Sequence, residues 1–218
     1  ISITPYTFLS FLILFLFIKK IFLYLFTNWH EEYKHILGSW SVWIYNIMYL
    51  VVTKKSTVIV NHKRLYDKKN SHLINSSRLD KEWFEEYKQI DNEKAKILYV
   101  GRINPEKGIL DLMKKLDEIK LDFSFSIAGN SVNDNIFSKN TKALGYISDS
   151  KKLIDTYDIH NIVILPSYTE ASPYVVDEAL SRKRPVIIFE EINYIVRGKR
   201  GIFVSKRTTD SLSKTIKY

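Results

Sequence analysis

The side chains of this sequence whose types and spacing could do chemistry are two carboxylates and two cations. Glu170 and Glu178 bracket seven residues in the stretch TEASPYVVDEA, and Arg102 and Lys107 bracket four in GRINPEKG. On a single helix the two glutamates would stand roughly 12 Å apart along the axis, at about 1.5 Å per residue. Hydrolysis of a glycosidic bond needs its carboxyl pair about 5 Å apart for retention, or about 6.5 to 9.5 Å apart for inversion. Glu170 falls in the loop before the helix, so the pair suits recognition of opposite ends of a long ligand better than an acid and a nucleophile sharing one bond. Ser172 reads as the N-cap of that helix and Pro173 as its first residue, and the amides of the first turn then face whatever sits above the preceding strand, an anion site in outline. Arg102 follows a strand, and Lys107 falls in the first turn of a helix that Asn104 caps and Pro105 starts. A cation there opposes the helix dipole by roughly 0.3 kcal/mol or more. An anionic ligand reverses that sign. The two cations then read as a clamp on a diphosphate, Arg102 with bidentate geometry and Lys107 as a point charge; standing alone they are equally a pair of surface cations.

The elements that must position these groups alternate strand and helix. Strands are expected over Lys96–Val100, Phe123–Ala128, Ala143–Ile147, Ile162–Leu165, Pro185–Phe189 and Gly201–Val204, with helical patterns between them and a last helix over Thr209–Tyr218. That alternation predicts an α/β fold: a parallel sheet covered on both faces, with ligands beyond the carboxyl ends of its strands. Upstream, Phe8–Ile18 is almost wholly apolar, Lys19 and Lys20 interrupt it, and IFLYLF follows. Two lysines inside a membrane span would cost about 2.5 to 3.5 kcal/mol each near its centre. A buried helix, a turn and a central strand over Ile21–Phe26 fit better. Trp40–Val52 is apolar at helical spacing, and the stripe Trp40, Trp43, Ile44, Ile47, Met48 and Val51 is expected in the core. Thr57–Val60 and Leu73–Ile74 are short strands. The charged stretch Asp80–Lys96 reads as a linker, so residues 1–88 form one part and residues 89–218 another.

With 218 residues, 45% of them hydrophobic and 14% aromatic, the chain can build a real core. Global disorder is excluded. Absence of cysteine removes disulfides, thiolate metal sites and cysteine nucleophiles together, and a reducing cytosol is compatible with it. The first residue is not methionine and the last lies inside a helical pattern, which reads as a fragment holding one domain and part of another. The formal charge is +9, and Lys54, Lys55, Lys63, Arg64, Lys68 and Lys69 face a single Asp67. Such a cluster is a solvated basic face or a footprint for an anionic bilayer or a charged acceptor. No zinc knuckle, RNA-binding signature or recognition helix accompanies it, so nucleic acid is not expected as a partner.

EASPYVVDEA resembles the E-x7-E signature of the retaining glycosyltransferases of family 4, and GRINPEKG resembles the G-R-x-x-x-x-K-G element that precedes it in that family. Ala128-Gly129-Asn130 and Gly145-Tyr146-Ile147-Ser148-Asp149 are similar to the family's strand ends beside the nucleotide, and TNWHEEYKHILGSW to the T-W-H-E segment of some N-terminal domains. The resemblance implies a GT-B fold, with a complete C-terminal Rossmann-like domain over 89–218 and the last part of an N-terminal, acceptor-side domain before it. It implies that Arg102 and Lys107 hold a donor diphosphate beside Gly101 and Gly129, that Glu170 holds the hydroxyls of the donor sugar, and that Glu178 holds the ribose. The amides of Ser172, Pro173 and Tyr174 would face sugar and phosphate, Tyr146 and Ile147 the base, and His30 the transferred sugar and the acceptor. Beside His30, Trp29 and Glu31 also fit a hydrogen-bonded structural histidine.

The reaction implied by the resemblance is transfer of a sugar from a nucleotide-diphosphate donor to an acceptor hydroxyl with retention, needing no metal and no other cofactor. The acceptor would be a glycan or a lipid-linked group in cell-surface polysaccharide or glycolipid synthesis. The location would be the cytoplasm, with peripheral contact on the inner face of the cytoplasmic membrane. Two departures stand out. Ala171 replaces the glycine usual after the first glutamate, and Glu190-Glu191-Ile192-Asn193-Tyr194 replaces a glycine-rich stretch, which bears on the sugar more than on the reaction. The rival readings are a non-catalytic nucleotide-sugar binder and a protein anchored by a true N-terminal membrane span.

Overall fold

The computed structural model describes residues 3–17, 20–25, 33–34, 37–60, 71–74, 79–89, 93–130, 140–170 and 172–218. His30, Ala171 and the cations Lys19, Lys63, Arg64, Lys68 and Lys69 lie outside them. By its contacts the chain divides into two compact units, Ile1–Ser77 with Thr169–Ser172, and Arg78–Tyr168 with Pro173–Tyr218.

In the first unit three short strands, β1 (Phe22–Leu25), β2 (Thr57–Val60) and β3 (Ser71–Leu73), pair in parallel in that order. The apolar run before β1 folds as α1 (Pro5–Phe17), but not as the buried helix expected: within it only Phe11 is buried, and Leu9, Ile13, Leu16 and Phe17 are 58 to 82% exposed. β1 stands at the edge of its three strands rather than at their centre, and α2 (Ser41–Lys55) precedes β2. With 13 residues α1 is about 20 Å long against a bilayer core of about 30 Å. Among the described residues no helix is long and apolar enough to cross a membrane. α2 corrects the sequence reading. Of the expected stripe only Met48 is buried, while Trp40 and Trp43 are 67% and 70% exposed; the buried face is Ser41, Tyr45, Met48 and Val52. Apolar residues occupy both sides of this helix, so their count does not choose the face. Polar anchoring does: the Ser41 hydroxyl lies 2.9 Å from the Tyr33 carbonyl and 2.7 Å from that of Gly38.

The second unit carries a six-stranded sheet, all parallel: β4 (Ala95–Val100), β5 (Phe123–Ala128), β6 (Thr141–Gly145), β7 (Ile162–Leu165), β8 (Val186–Phe189) and β9 (Ile202–Ser205), in spatial order β6-β5-β4-β7-β8-β9. This is the doubly wound order of a Rossmann-like fold, with its switch point between β4 and β7. Alternate residues supply two cores. Ile97, Tyr99, Ile164, Ile187 and Phe189 pack under α3 (Ile109–Glu118) and α6 (Thr209–Lys217). Leu98, Val163, Leu165, Val186 and Ile188 pack under α4 (Ser150–Asp158) and α5 (Tyr174–Ser181).

Several boundaries differ from the sequence reading. β6 runs Thr141–Gly145 rather than Ala143–Ile147, because an edge strand with exposed Lys142 and Ala143 gives little apolar signal. Pro105–Lys107 forms a separate 3-10 turn; Gly108 at φ +64° breaks the chain, and α3 starts only at Ile109, so Lys107 is not in the first turn of that helix. The N-cap of α5 is Pro173 in an extended conformation, one residue later than Ser172.

The charged stretch from Asp80 is folded against this unit. A 3-10 turn over Lys81–Phe84 buries Trp83, whose ring meets Tyr157 edge-on at 5.6 Å. Two arginines, each 1% exposed, bind its backbone. Arg182 donates to the carbonyls of Trp83 (3.1 Å), Glu85 (2.7 Å) and Glu86 (3.1 Å), and forks onto Asp158 at 2.9 and 2.7 Å. Arg184 donates to the carbonyls of Tyr157, Asp158 and Lys88 at 2.9 to 3.1 Å.

Removing one partner of such a buried group leaves an uncompensated charge. Asp158→Asn is therefore expected to cost about 3 to 5 kcal/mol, read as a lower urea midpoint at unchanged slope. His160, buried with its Nδ1 2.6 Å from the Thr156 carbonyl, gives a pH dependence. Burial lowers its pKa, and Lys96 and Lys142 push the same way against the Thr156 hydrogen bond. A histidine so shifted binds fewer protons folded than unfolded. Its contribution is thus complete above the ordinary value of about 6.5 and declines as pH falls below that toward the folded pKa. Denaturation between about pH 7.5 and about pH 5.5 should show that decline in the natural protein and a smaller one in His160→Asn.

Candidate functional site

At the carboxyl ends of β4, β5 and β6 stand three glycines. The Gly101 amide donates to the Ala128 carbonyl at 2.9 Å, and the Gly129 amide to the Gly145 carbonyl at 2.9 Å. A Cβ on Gly129 would lie 1.9 Å from the Gly101 carbonyl oxygen, so only glycine lets these two strand ends approach so closely. Tyr99, fully buried, donates its hydroxyl to the Arg102 carbonyl at 2.6 Å and fixes the turn that presents the exposed Arg102 side chain. Because β6 ends at Gly145, Tyr146 and Ile147 lie in the loop beyond the strand end, Tyr146 74% exposed and Ile147 half-buried.

The loops after β4 and β7 leave the sheet in opposite directions at the switch point, and in a doubly wound sheet the crevice between such loops receives the ligand. Here they also touch. The Tyr168 amide donates to the Glu106 carbonyl at 3.0 Å, and a Cβ on Gly108 would stand 2.3 Å from the Pro166 carbonyl oxygen. The Asn104 side chain, expected as a helix cap, instead donates to Glu106 at 2.9 Å within the same turn. The half-buried Lys107 is thus held on a turn bonded directly to the chain that runs on to Glu170. Glu170 itself is half-buried in the loop between β7 and α5, in the Thr169–Ser172 segment that groups with the first unit.

Ser172, Pro173 and Tyr174 lead into α5 and are half-buried. Glu178, on the second turn, is 9% exposed and accepts a hydrogen bond from the Tyr157 hydroxyl on Oε2 at 2.7 Å. Complete burial, reinforced by the Glu178 charge, pushes the Tyr157 hydroxyl well above its ordinary pKa, so it stays a donor. The sequence reading missed Tyr157 and Tyr99, and it quoted Gly108 only as the last residue of GRINPEKG, with no role of its own. Only Gly108 left a signal, as the glycine following Lys107. Among the described residues no group of three His, Asp or Glu side chains is placed to hold a metal ion.

Residues 80–218 match the model of the family described as glycosyl transferases group 1. An uncharacterized 41.2 kDa protein from the cps region of Klebsiella pneumoniae is 33% identical over 106 residues, 45% of this chain and 28% of that protein. Among solved structures, HepE from Anabaena in complex with UDP and glucose superposes with a TM-score of 0.73 at 14% identity, over 98% of this chain and 66% of that one. Sucrose-phosphate synthase from Thermosynechococcus elongatus gives 0.63 at 20%, over 78% and 51%. WaaG, a glycosyltransferase involved in lipopolysaccharide biosynthesis, gives 0.63 at 14%, over 100% and 76%. At these identities the likeness is one of fold, the GT-B type. The chain spans 28% of the Klebsiella protein and about half of the synthase.

Gly108 supplies a direct check on the junction. Gly108→Ala places a methyl group against the Pro166 carbonyl and holds a side chain at positive φ, which is expected to destabilise the protein by about 1 to 3 kcal/mol. A denaturation midpoint equal to that of the natural chain would show that the two loops are not held together as described.

Proposed function

This chain belongs to the glycosyl transferases group 1 family, and from that premise we propose that the whole protein moves a sugar from a nucleoside-diphosphate donor to an acceptor hydroxyl, with retention at the anomeric carbon as in family 4. The observation that carries this reading is the junction at the switch point: the turn bearing Lys107 is hydrogen-bonded to the loop that continues to Glu170, while the Arg102 turn is fixed beside it by Tyr99. HepE, of the same fold, holds UDP and glucose, which supports a nucleotide sugar as the donor class here.

In this reading Arg102 and Lys107 bind the diphosphate, beside the strand ends at Gly101 and Gly129. Tyr146 and Ile147 flank the base. Glu178, oriented by Tyr157, takes the ribose hydroxyls, and Glu170 with the backbone of Ser172, Pro173 and Tyr174 takes the sugar. The bond from the anomeric carbon to the phosphate oxygen breaks as the acceptor oxygen bonds to the same face. The acceptor's proton passes to the leaving phosphate. Charge growing on the diphosphate is what the two cations stabilise, more strongly as the bond breaks than before, which is the condition for catalysis rather than mere binding. The reaction needs no metal and no further cofactor in this scheme. His30 serves the acceptor side. The acceptor is a glycan or lipid-linked hydroxyl of cell-surface polysaccharide or glycolipid synthesis, met on the cytoplasmic side with peripheral contact to an anionic membrane.

Hydrogen bonds to a charged partner contribute about 1.5 to 3 kcal/mol, so Arg102→Ala and Lys107→Ala should each weaken UDP binding roughly 10- to 100-fold by titration calorimetry. Unchanged affinity in both would overturn the placement of the diphosphate. A product of inverted anomeric configuration, read by NMR, would remove the retaining mechanism and leave the transfer standing.

A further inference from the structure

Arg207 lies in the turn between β9 and α6, outside every motif that marks the donor site. Its guanidinium nevertheless meets the elements that build the site. Nη2 donates to the carbonyls of Pro166 at 3.0 Å and Ser167 at 3.3 Å, the residues just before the Tyr168 amide that bonds the Lys107 turn. Nε donates to Glu191 Oε1 at 2.6 Å, in the segment after β8. Nη1 stands 3.5 Å from Asp111 Oδ2, in the first turn of α3. The plane is held over two rings, Tyr168 at 4.1 Å and Phe189 at 4.3 Å from their centroids. The side chain is 14% exposed, and a Cβ on Gly108 would lie 3.2 Å from its Nη1.

On the reading that this site binds a nucleoside-diphosphate sugar, we infer that Arg207 is a positioning residue for the donor: one guanidinium ties the loop after β7 to the first turn of α3 and to the segment after β8, and so holds the Lys107 turn where the Tyr168 amide meets it. The geometry requires a planar fork. A single guanidinium satisfies two carbonyls and a carboxylate while stacked on two rings, and a lysine ammonium has no plane to stack and no such span. The charge matters as well. Among the described residues, Asp111 and Glu191 are the ionic partners of Arg207, with Lys115 answering Asp111 at 3.0 Å. Without the guanidinium, two carboxylates and two carbonyl oxygens would present negative potential beside the turn that is to receive an anion. Glu191 registers the contact: burial raises its pKa, but the hydrogen bond and charge of Arg207 prevail and hold it below the ordinary value.

The experiment is a double-mutant cycle on nucleotide affinity in the full-length protein. UDP, GDP and ADP are titrated, and the tightest binder is carried through Arg207→Ala, Arg207→Lys, Lys107→Ala and the Arg207→Ala/Lys107→Ala pair. Arg207→Ala is expected to weaken binding about tenfold and to raise the donor KM with the acceptor KM unchanged, with Arg207→Lys restoring little. In the Lys107→Ala background the effect should shrink to about threefold or less, because the group being positioned is gone. Full additivity, or an affinity unchanged by Arg207→Ala, overturns the inference. If Arg207→Ala does not fold, Glu191→Gln loosens one tether alone, and unchanged affinity there overturns it equally. Failure of the natural protein to bind any of the three nucleotides sinks the donor-site reading and this inference with it. Loss of binding in Lys107→Ala with none in Arg207→Ala sinks this inference only.

Discussion

At Gly108 the backbone passes so close to the Pro166 carbonyl oxygen that a Cβ would come within 2.3 Å of it. That approach, with the hydrogen bond from the Tyr168 amide to the Glu106 carbonyl, joins the segment after β4 to the segment after β7. Strand order alone sends these two segments to opposite faces and leaves a crevice between them. Order fixes where a ligand can enter but not how far apart its binding groups stand. The contact at Gly108 limits how far these two segments can separate, and Tyr99 holds the Arg102 turn from inside the core.

The other fixed relation lies on the side of the sheet covered by α4 and α5. Arg182 and Arg184 hold the carbonyls of residues 83, 85, 86 and 88, and Trp83 completes the core under α4 and α5. The match to the family begins at residue 80, close to where this packing begins. A charged segment that looked like a linker is therefore a strap of the second unit. Its cost is high, since two guanidinia and a carboxylate are taken out of water, and only a nearly complete set of hydrogen bonds offsets that. The same α4–α5 layer carries Tyr157, which faces Trp83 on one side and Glu178 on the other, so the strap and the carboxylate share a neighbour.

How much of this could be read beforehand depends on the origin of each signal. β7 and β8 are buried on both faces and appear as unbroken apolar runs, so IVIL and VIIF declared themselves. β6 is an edge strand, largely exposed, and its apolar residues mark the loop after it as much as the strand itself. α2 carries apolar side chains all round, and its buried face is chosen by Ser41 and two tyrosines rather than by tryptophan. Asn104 and Pro105 have the right chemistry to open a helix and do open one, but a single 3-10 turn, because Gly108 then turns left-handed. Arg102, Lys107, Glu170 and Glu178 were legible as residue types at a spacing. Tyr157, Arg182 and Arg207 were not, since their partners lie far away in sequence, and backbone carbonyls leave no trace in residue identity.

The structure also ranks the two sources of positive potential that the sequence offered. A helix N-terminus contributes about 0.3 to 1 kcal/mol to a nearby anion, against about 1.5 to 3 for a charged hydrogen bond. α3 spends its dipole on Asp111, in its own first turn, which in turn answers Lys115 and Arg207. α5 carries Asp177 in its first turn, paired with Lys199, and has only eight residues with which to build a dipole. Both helix ends therefore face a carboxylate of their own before any ligand arrives. Lys107 ends the 3-10 turn ahead of α3, with the left-handed Gly108 between them, and Arg102 stands outside any helix. On the proposed reading, attraction for a diphosphate at this sheet edge comes chiefly from the two side-chain cations.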